Sequence, residues 1–477
     1  MRTPALCALP SLALLLLLGG CTTPPPAELD RSTPASWLQA TDSGNEGAPS
    51  HARLRASDLA TWWRSWNEPE LNALVEQALA QNLNLAQARG RLKQQRLLQG
   101  MAEAAYQPTL SGSVRTLQDV EAVDSYFHAS IDMVWDLGLF GARESQAQAA
   151  RAELLTAQAQ AEAAQVALVA DVVHRWLDIR MAQAQRQLLA ERITLDQRTL
   201  HWTEVRRAQH LDGSEAVHQA RLQLTHSQKQ DSALQENQAR AAHALALLLG
   251  QARPDPAWLA SRSDSQLPAP QALELQVLPA DLLRTRPDIQ AAEASVLQAA
   301  ATLGLSRSAL KPRFALAGSL LFSYNLTQNR RSTSDHIPVL GPVIDIPLFD
   351  WNRRRSQAAG DEAALDVAML GYRQAVLESI SEVETALAAL QAQQARMAGL
   401  AQIASQMAAR NALQQRREQL GLASPYQRAS EQRALLQNQS EQIVAQASQA
   451  LAYVSLYKAL GGAPLPAEAS AAAGVQP

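Results

Sequence analysis

Cysteine is nearly absent: Cys7 and Cys21 are the only two in 477 residues. Both fall in the first 21 positions, so the rest of the chain can hold neither a disulfide framework nor a thiolate metal site. Aromatic residues are scarce too, at 4% of the chain against 47% apolar. Apolar content carried mostly by Ala and Leu favours long helices at close range over an aromatic-rich globular core. Neither sign of charge dominates, the formal net charge being −3, which excludes the basic face that binds nucleic acid. There is no His-Glu-x-x-His, no Gly-x-Gly-x-x-Gly, no P-loop and no Gly-x-Ser-x-Gly. His201, His210, His218 and His226 recur at eight or nine residues, not at the i, i+4 spacing of a helix metal site. Glu378, Glu382 and Glu384 read as a solvated helix face. No enzyme, metal or cofactor is expected.

Against these absences one stretch stands out, residues 126–137. Phe127, Ala129, Ile131, Met133, Trp135 and Leu137 fall on one face of an extended strand. Tyr126, His128, Ser130, Asp132, Val134 and Asp136 fall on the other. A period of two held over about ten residues suits a tilted strand crossing a bilayer, one face toward hydrocarbon and one toward water. Residues 109–116 alternate likewise, with Leu110, Gly112, Val114 and Thr116 on one side, so 109–137 reads as a β-hairpin. From Arg143 to Asp212 the chain has neither Pro nor Gly. Residues 143–209 read as one helix of roughly 100 Å, too long for a single-chain core and therefore part of a coiled coil or helical barrel. A break at 210–214 makes the next helix, 215–249, an antiparallel neighbour closed by Gly250.

The pattern then returns. A helix opens at Arg286-Pro287-Asp288 and stops at Pro312, as an earlier one stops at Pro108. Phe314, Leu316, Gly318, Leu320 and Phe322 alternate with polar or small residues; Leu340, Pro342, Ile344, Ile346 and Leu348 share one face of a fourth strand. The hairpin spans 313–348, with Pro338, Pro342 and Pro347 marking the strand's ends. A long helix over 353–419 breaks at 420–425 and returns to Leu460-Gly461-Gly462. Pairing Pro108 with Pro312, Phe140 with Phe349 and Gly250 with Gly461 gives a tandem duplication of about 205 to 211 residues, far above a solenoid period. The fold class is thus mixed and mostly α: long helical hairpins plus a transmembrane β-barrel built from four strands per chain. Four strands cannot close, and open edges are not tolerated in lipid. Three chains would give about twelve strands, and the expected assembly is a trimer.

The flanks have their own signals. Arg2, the apolar run 12–18 and Leu18-Gly19-Gly20-Cys21 form an export signal, the run being too short to span a membrane as a helix. Leu-Gly-Gly-Cys resembles a bacterial lipobox, which implies cleavage after residue 20, a covalent lipid on Cys21 and, with Thr22 rather than Asp next, the outer membrane. Residues 21–55 read as a flexible leader, 56–250 as the first repeat, 251–279 as a Pro-rich linker, 280–462 as the second repeat and 463–477 as a disordered tail. A helix starting near Glu68-Pro69-Glu70 is expected to continue to about Ala105.

Several pieces in order carry a wider resemblance. They are Trp63-Arg64-Ser65-Trp66 before Leu71-Asn72-Ala73-Leu74-Val75, Leu278-Pro279-Ala280-Asp281 with Arg286-Pro287-Asp288, Lys311-Pro312-Arg313, and Ile346-Pro347-Leu348-Phe349-Asp350. Gly421-Leu422-Ala423-Ser424 completes them. The sequence resembles the TolC-like outer-membrane efflux proteins, in their lipidated branch. The resemblance implies a homotrimer with a barrel in the outer membrane and a helical tunnel in the periplasm. It also implies a periplasmic adaptor protein and an inner-membrane transporter as partners, with no nucleic acid. His210, Gly213, Leu420, Gly421, Leu422 and Ser424, in the two helix turns, are then the adaptor-docking candidates, Gly421 serving also as a helix cap. Where the family often rings its aperture with acids, this chain has Gln427, Arg428, Ser430 and Glu431, which puts an acidic gate in doubt. The run Arg353-Arg354-Arg355 suits either lipid head groups or solvent. The reading is an exit duct for drugs or other small molecules; a duct for type I protein secretion or a poreless coiled-coil scaffold are the alternatives.

Overall fold

Two helices of 67 residues each dominate the chain, and each leads through a short turn into a helix of 35 residues. In this computed structural model the described residues are 29, 32–34, 37–38, 52–54, 56–118, 125–262, 267–268, 273–275, 286–327, 330–331, 338–422 and 424–462. Cys21 with the export signal, most of the leader, the hairpin loop 119–124, the motif Leu278-Pro279-Ala280-Asp281 and the tail 463–477 lie outside them.

In chain order the elements are β1 (Ala52–Leu54), a 3-10 segment (Ala56–Trp66), α1 (Pro69–Gln81), α2 (Leu83–Ala104), β2 (Thr109–Gln118), β3 (Ser125–Asp136), α3 (Ala142–Ala208) and α4 (Ser214–Leu248). They continue with α5 (Pro256–Leu259), β4 (Leu273–Leu275), α6 (Pro287–Ser308), β5 (Arg313–Asn325), β6 (Arg330–Arg331), β7 (Pro338–Asp345), α7 (Arg353–Gln419) and α8 (Pro425–Ala459). None of the described helices is long and apolar enough to cross a membrane.

The duplication is set by local backbone chemistry. Both long helices end in a residue with positive φ, His210 at 58° and Gly421 at 70°. In each, two successive N–H groups reach back to the helix: His210 to Arg207 O and Leu211 to Arg206 O, then Gly421 to Glu418 O and Leu422 to Arg417 O. This is the Schellman closure, which satisfies carbonyls that the helix end leaves open. Gly250 and Gly461 close the two shorter helices in the same way.

Four expectations need correction. The helix read as continuous from about residue 68 to 105 breaks at Asn82, whose ψ is 124°. There the Asn82 amide donates to Leu248 O at 2.9 Å and its carbonyl oxygen accepts from Leu85 N–H at 2.9 Å; a tertiary partner makes Asn a better cap than a helix interior. Stretches expected as leader and linker are partly ordered: β1 pairs in parallel with β4, and α5 buries Trp258. The fourth strand ends at Asp345, and Pro342 lies inside it opposite Leu316 rather than at an end. β7 pairs only with β5 among the described residues, and a proline is tolerated in such an edge strand. Finally, Phe140 and Gly141, at φ 59° and 83°, precede α3 as Trp351 and Asn352, at 55° and 63°, precede α7. The conformational counterpart of Phe140 is therefore Trp351, not Phe349.

Contacts divide the chain into two units, each assembled from pieces of both sequence copies. The described part of the first joins Gly90–Gln160 with Asp288–Ala375, and contains β2, β3, β5, β6 and β7. The second joins Ser32–Arg89, Ala161–Pro287 and the residues from Val376 onward. Its core gathers Leu59, Leu71, Val75, Leu245, Leu249 and Leu460, and Trp62 stacks on Tyr457 at 4.5 Å. Buried Arg286 donates to Ala459 O at 2.6 Å and to Glu382 at 2.7 Å, placing a cation at the C-terminus of α8.

Candidate functional site

In the first unit the strands form one antiparallel sheet in the order β2-β3-β5, with β7 on the far side of β5 and the two-residue β6 at its end. The register keeps parity across all four long strands. Leu110 faces Met133, Met133 faces Gly318, and Gly318 faces Leu340; one step along, Gly112, Ile131, Leu320 and Pro338 line up. Ile131, Leu110 and Leu340 are exposed on that apolar face. On the opposite face Ser111, Asp132, Ser319 and Val339 align. Asp132 accepts from Ser319 at 2.6 Å and from Ser130 at 2.7 Å, Ser130 meets Ser113 at 2.9 Å, and Arg313 donates to Asp136 at 2.7 Å. A sheet with one greasy and one hydrogen-bonded polar face separates hydrocarbon from water. The outer edges of β2 and β7 pair with no strand among the described residues.

In the second unit the two helix turns lie side by side. Arg206, in the last turn of α3, donates to both oxygens of Asp212 at 2.7 and 3.0 Å and rests its guanidinium 5.3 Å from the Tyr426 ring of α8. The Arg206 hydrogen bonds hold the Asp212 carboxyl below the usual carboxylate range, and Asp212 in turn raises Arg206. Deeper in, Asp196 is sealed from solvent and takes hydrogen bonds from Arg433 at 2.9 Å and Ser227 at 2.7 Å, tying α3, α4 and α8 together. A cleft of about 420 Å³ opens beside these groups, lined by Thr199, Arg417, Leu422, Tyr426, Gln427 and Glu431 among others.

The docking candidates occupy these turns. His210 and Gly421 hold the left-handed positions, and Leu420 and Leu422 are about two-thirds exposed. Gly213 precedes α4 without a side-chain cap, whereas Ser424 caps α8 through a capping box with Gln427: Gln427 N donates to Ser424 Oγ at 3.3 Å and Ser424 N to Gln427 Oε1 at 3.0 Å. Among the aperture candidates, Ser430 bonds Gln427 O, Arg428 pairs with Glu418 at 2.6 Å and Glu431 with Arg410 at 2.7 Å. Their charges are thus compensated in pairs within the chain. Sequence reasoning missed Arg206, Tyr426, Asp196 and Arg433, and took Asp212 only as part of the turn at 210–214. The signal that could have found some partners is an acid and a cation roughly equidistant from a turn, as in Glu418 with Arg428 and Glu204 with Arg221.

Residues 74–251 and 278–462 match the sequence model of a family described as "Outer membrane efflux protein". Among curated relatives, the solvent efflux pump outer membrane protein SrpC of Pseudomonas putida is 29% identical over 475 residues, covering 95% of this chain and 98% of that one. The pyoverdine export outer membrane protein OpmQ of Pseudomonas aeruginosa is 27% identical over 470 residues, covering 94% and 95%. Among solved structures, the outer-membrane channel OprN superposes with a TM-score of 0.77 at 25% identity, covering 91% of this chain and 98% of that one.

Proposed function

Because the chain belongs to the outer membrane efflux protein family, we propose that it works as a homotrimeric exit duct, the outer-membrane component of a tripartite efflux pump. The observation that carries this reading is the single sheet of four long strands with lipid-fit and water-fit faces, whose two outer edges pair with no strand among the described residues. Joined edge to edge in three copies, such sheets close into a barrel of about twelve strands without leaving backbone groups bare in lipid. The long helices support the same assembly: α7 exposes Val367, Leu370, Leu377 and Leu413, apolar side chains that a neighbouring helix would cover. The barrel sits in the outer membrane, with the helical hairpins on its periplasmic side.

The cargo is small. SrpC and OpmQ are named for solvent efflux and for pyoverdine export, and a polar, hydrogen-bonding wall is permissive toward such molecules. The turn residues His210, Gly213, Leu420, Gly421, Leu422 and Ser424 are the docking surface for a periplasmic adaptor, which in turn engages an inner-membrane transporter. Gln427, Arg428, Ser430 and Glu431 line the aperture as neutral groups and compensated pairs. The chain is passive and carries no cofactor beyond a covalent lipid on Cys21.

The test is reconstitution of the purified full chain into a planar bilayer. Discrete conductance steps from a heat-resistant, β-rich trimer are expected, and a water-soluble monomer without conductance would overturn the reading. Mass spectrometry of the mature N-terminus checks the anchor separately: an unmodified or uncleaved Cys21 removes it.

A further inference from the structure

The turn that leaves the fourth strand differs from its counterpart in the first copy. After β3, Leu139-Phe140-Gly141 leads into α3 and tucks Phe140 beside Phe314, ring centres 6.2 Å apart. After β7, Leu348-Phe349-Asp350 is followed by two further residues, Trp351 and Asn352, before α7 begins. Both have positive φ, 55° and 63°, a conformation disfavoured for a large side chain. No local burial offsets that strain, because Trp351 is 87% exposed, with Leu348 at 89% and Phe349 at 76%. Phe349 and Trp351 pack edge to face at 5.0 Å, so the two rings protrude as one unit. A strained residue kept in water-facing aromatic company points to an occupant outside the chain.

Three arginines come next. Arg354 is held by its own unit, lying 3.6 Å from Asp350 and donating to Ala309 O at 3.3 Å. Arg353 and Arg355 are exposed, and neither pairs with a carboxylate among the described residues. Past the end of β7, whose apolar face carries Leu340, Pro342 and Ile344, the chain exposes Ile346 and Leu348 as well. The protruding rings therefore lie just beyond the end of the sheet where β7 meets the start of β5.

We propose that residues 346–355 form an interfacial site for an anionic phospholipid of the periplasmic leaflet. The site depends on the sheet being a membrane wall, as proposed for the duct. Leu348, Phe349 and Trp351 enter the boundary between acyl chains and head groups, where amphipathic rings are favoured. Arg353 and Arg355 bind the phosphate and the net negative charge of the head group, Arg354 being engaged elsewhere. The first copy, with its aromatic tucked in, has no such site.

The full-length protein is purified with equimolar phosphatidylglycerol and phosphatidylethanolamine in mixed micelles, and retained lipids are counted by native mass spectrometry. Each cation near a membrane surface adds about fivefold toward an anionic lipid, so wild type should retain phosphatidylglycerol at least about fivefold over phosphatidylethanolamine at low salt. Arg353→Gln with Arg355→Gln should bring the ratio to near parity while conductance persists, and Arg143→Gln in the first copy should leave the ratio unchanged. A spin label on Trp351→Cys should meet oxygen but be shielded from an aqueous nickel chelate. Equal retention by wild type, or an undiminished ratio in the double variant, overturns the proposal. A label closed to both reagents means that a second copy covers the turn, and overturns it too. Protein that inserts and conducts without lipid preference refutes this site alone; protein that never enters a bilayer refutes the membrane-wall reading on which it rests.

Discussion

Asp196→Ala is the most informative single change in the helical unit. The carboxylate is fully buried, and its loss strands Ser227, itself 0% exposed, without an acceptor. An unsatisfied buried hydroxyl costs about 1–3 kcal/mol. The Arg433 side chain is 27% exposed, so it recovers hydration and its share is discounted to about 1 kcal/mol. Arg192 lies 4.0 Å from the carboxylate and adds little. A small residual cavity brings the total to about 3 kcal/mol. Unfolding of a chain that divides into two units is not a single two-state event, so a melting temperature is the wrong observable. Hydrogen exchange reads the local opening free energy instead, and about 3 kcal/mol corresponds to roughly 100-fold faster exchange for amides of α3, α4 and α8 around this contact. Asp231→Ala is the control. Its partner Arg186 keeps a hydrogen bond to Gln238, and Asp231 is already 28% exposed, so about fivefold is expected. Exchange in Asp196→Ala within about threefold of wild type, or equal effects in the two variants, would refute the reasoning.

The turns give further outcomes. Gly421→Trp places a side chain where nothing lies within 4 Å of the new Cβ but φ is +70°, costing about 1–2 kcal/mol of backbone strain. The protein should still reach the outer membrane while drug susceptibility rises to that of a deletion strain; an unchanged susceptibility profile contradicts a docking role. Ser424→Ala removes one half of the capping box and should destabilise the start of α8 by about 1 kcal/mol, read as faster exchange of the first-turn amides; no change there contradicts the cap. The Asp212 carboxyl is lowered by Arg206, so its stabilising contribution is present above the ordinary carboxylate pKa and is lost as pH falls through the lowered one. Protection of the His210–Gly213 turn should therefore weaken on acidification below about pH 4, and Asp212→Asn should abolish that dependence. Persistence of the pH effect in the variant would assign it to another group.

What could be read from the residues alone was whatever depends on neighbours a few positions away. The absence of Pro and Gly from Arg143 to Asp212 placed the first long helix, and the break at 420–425 placed the end of the second, to within a residue or two, because helix propagation and its closure by a left-handed residue are local events. The period of two in residues 109–137 and 313–348 gave both hairpins, the second overrunning its strand by three residues, because a strand's two faces alternate whatever it later pairs with. Packing decided the rest. Nothing in the alternation says that β3 pairs with β5, yet that ladder turns two hairpins into one sheet. Asn82 breaks its helix because the Leu248 carbonyl, 166 residues away, takes its amide. Asp196 and Arg433 are 237 residues apart, and only the azimuth at which α3 meets α8 makes them partners. Likewise the echo of Leu139-Phe140 in Leu348-Phe349 hid that Trp351 holds the left-handed position of Phe140, and only packing shows that Phe140 is tucked against Phe314 while Trp351 is thrown outward. Period and punctuation are properties of the covalent chain and its backbone torsions; which side chains meet is fixed only when helices and strands choose their register in three dimensions.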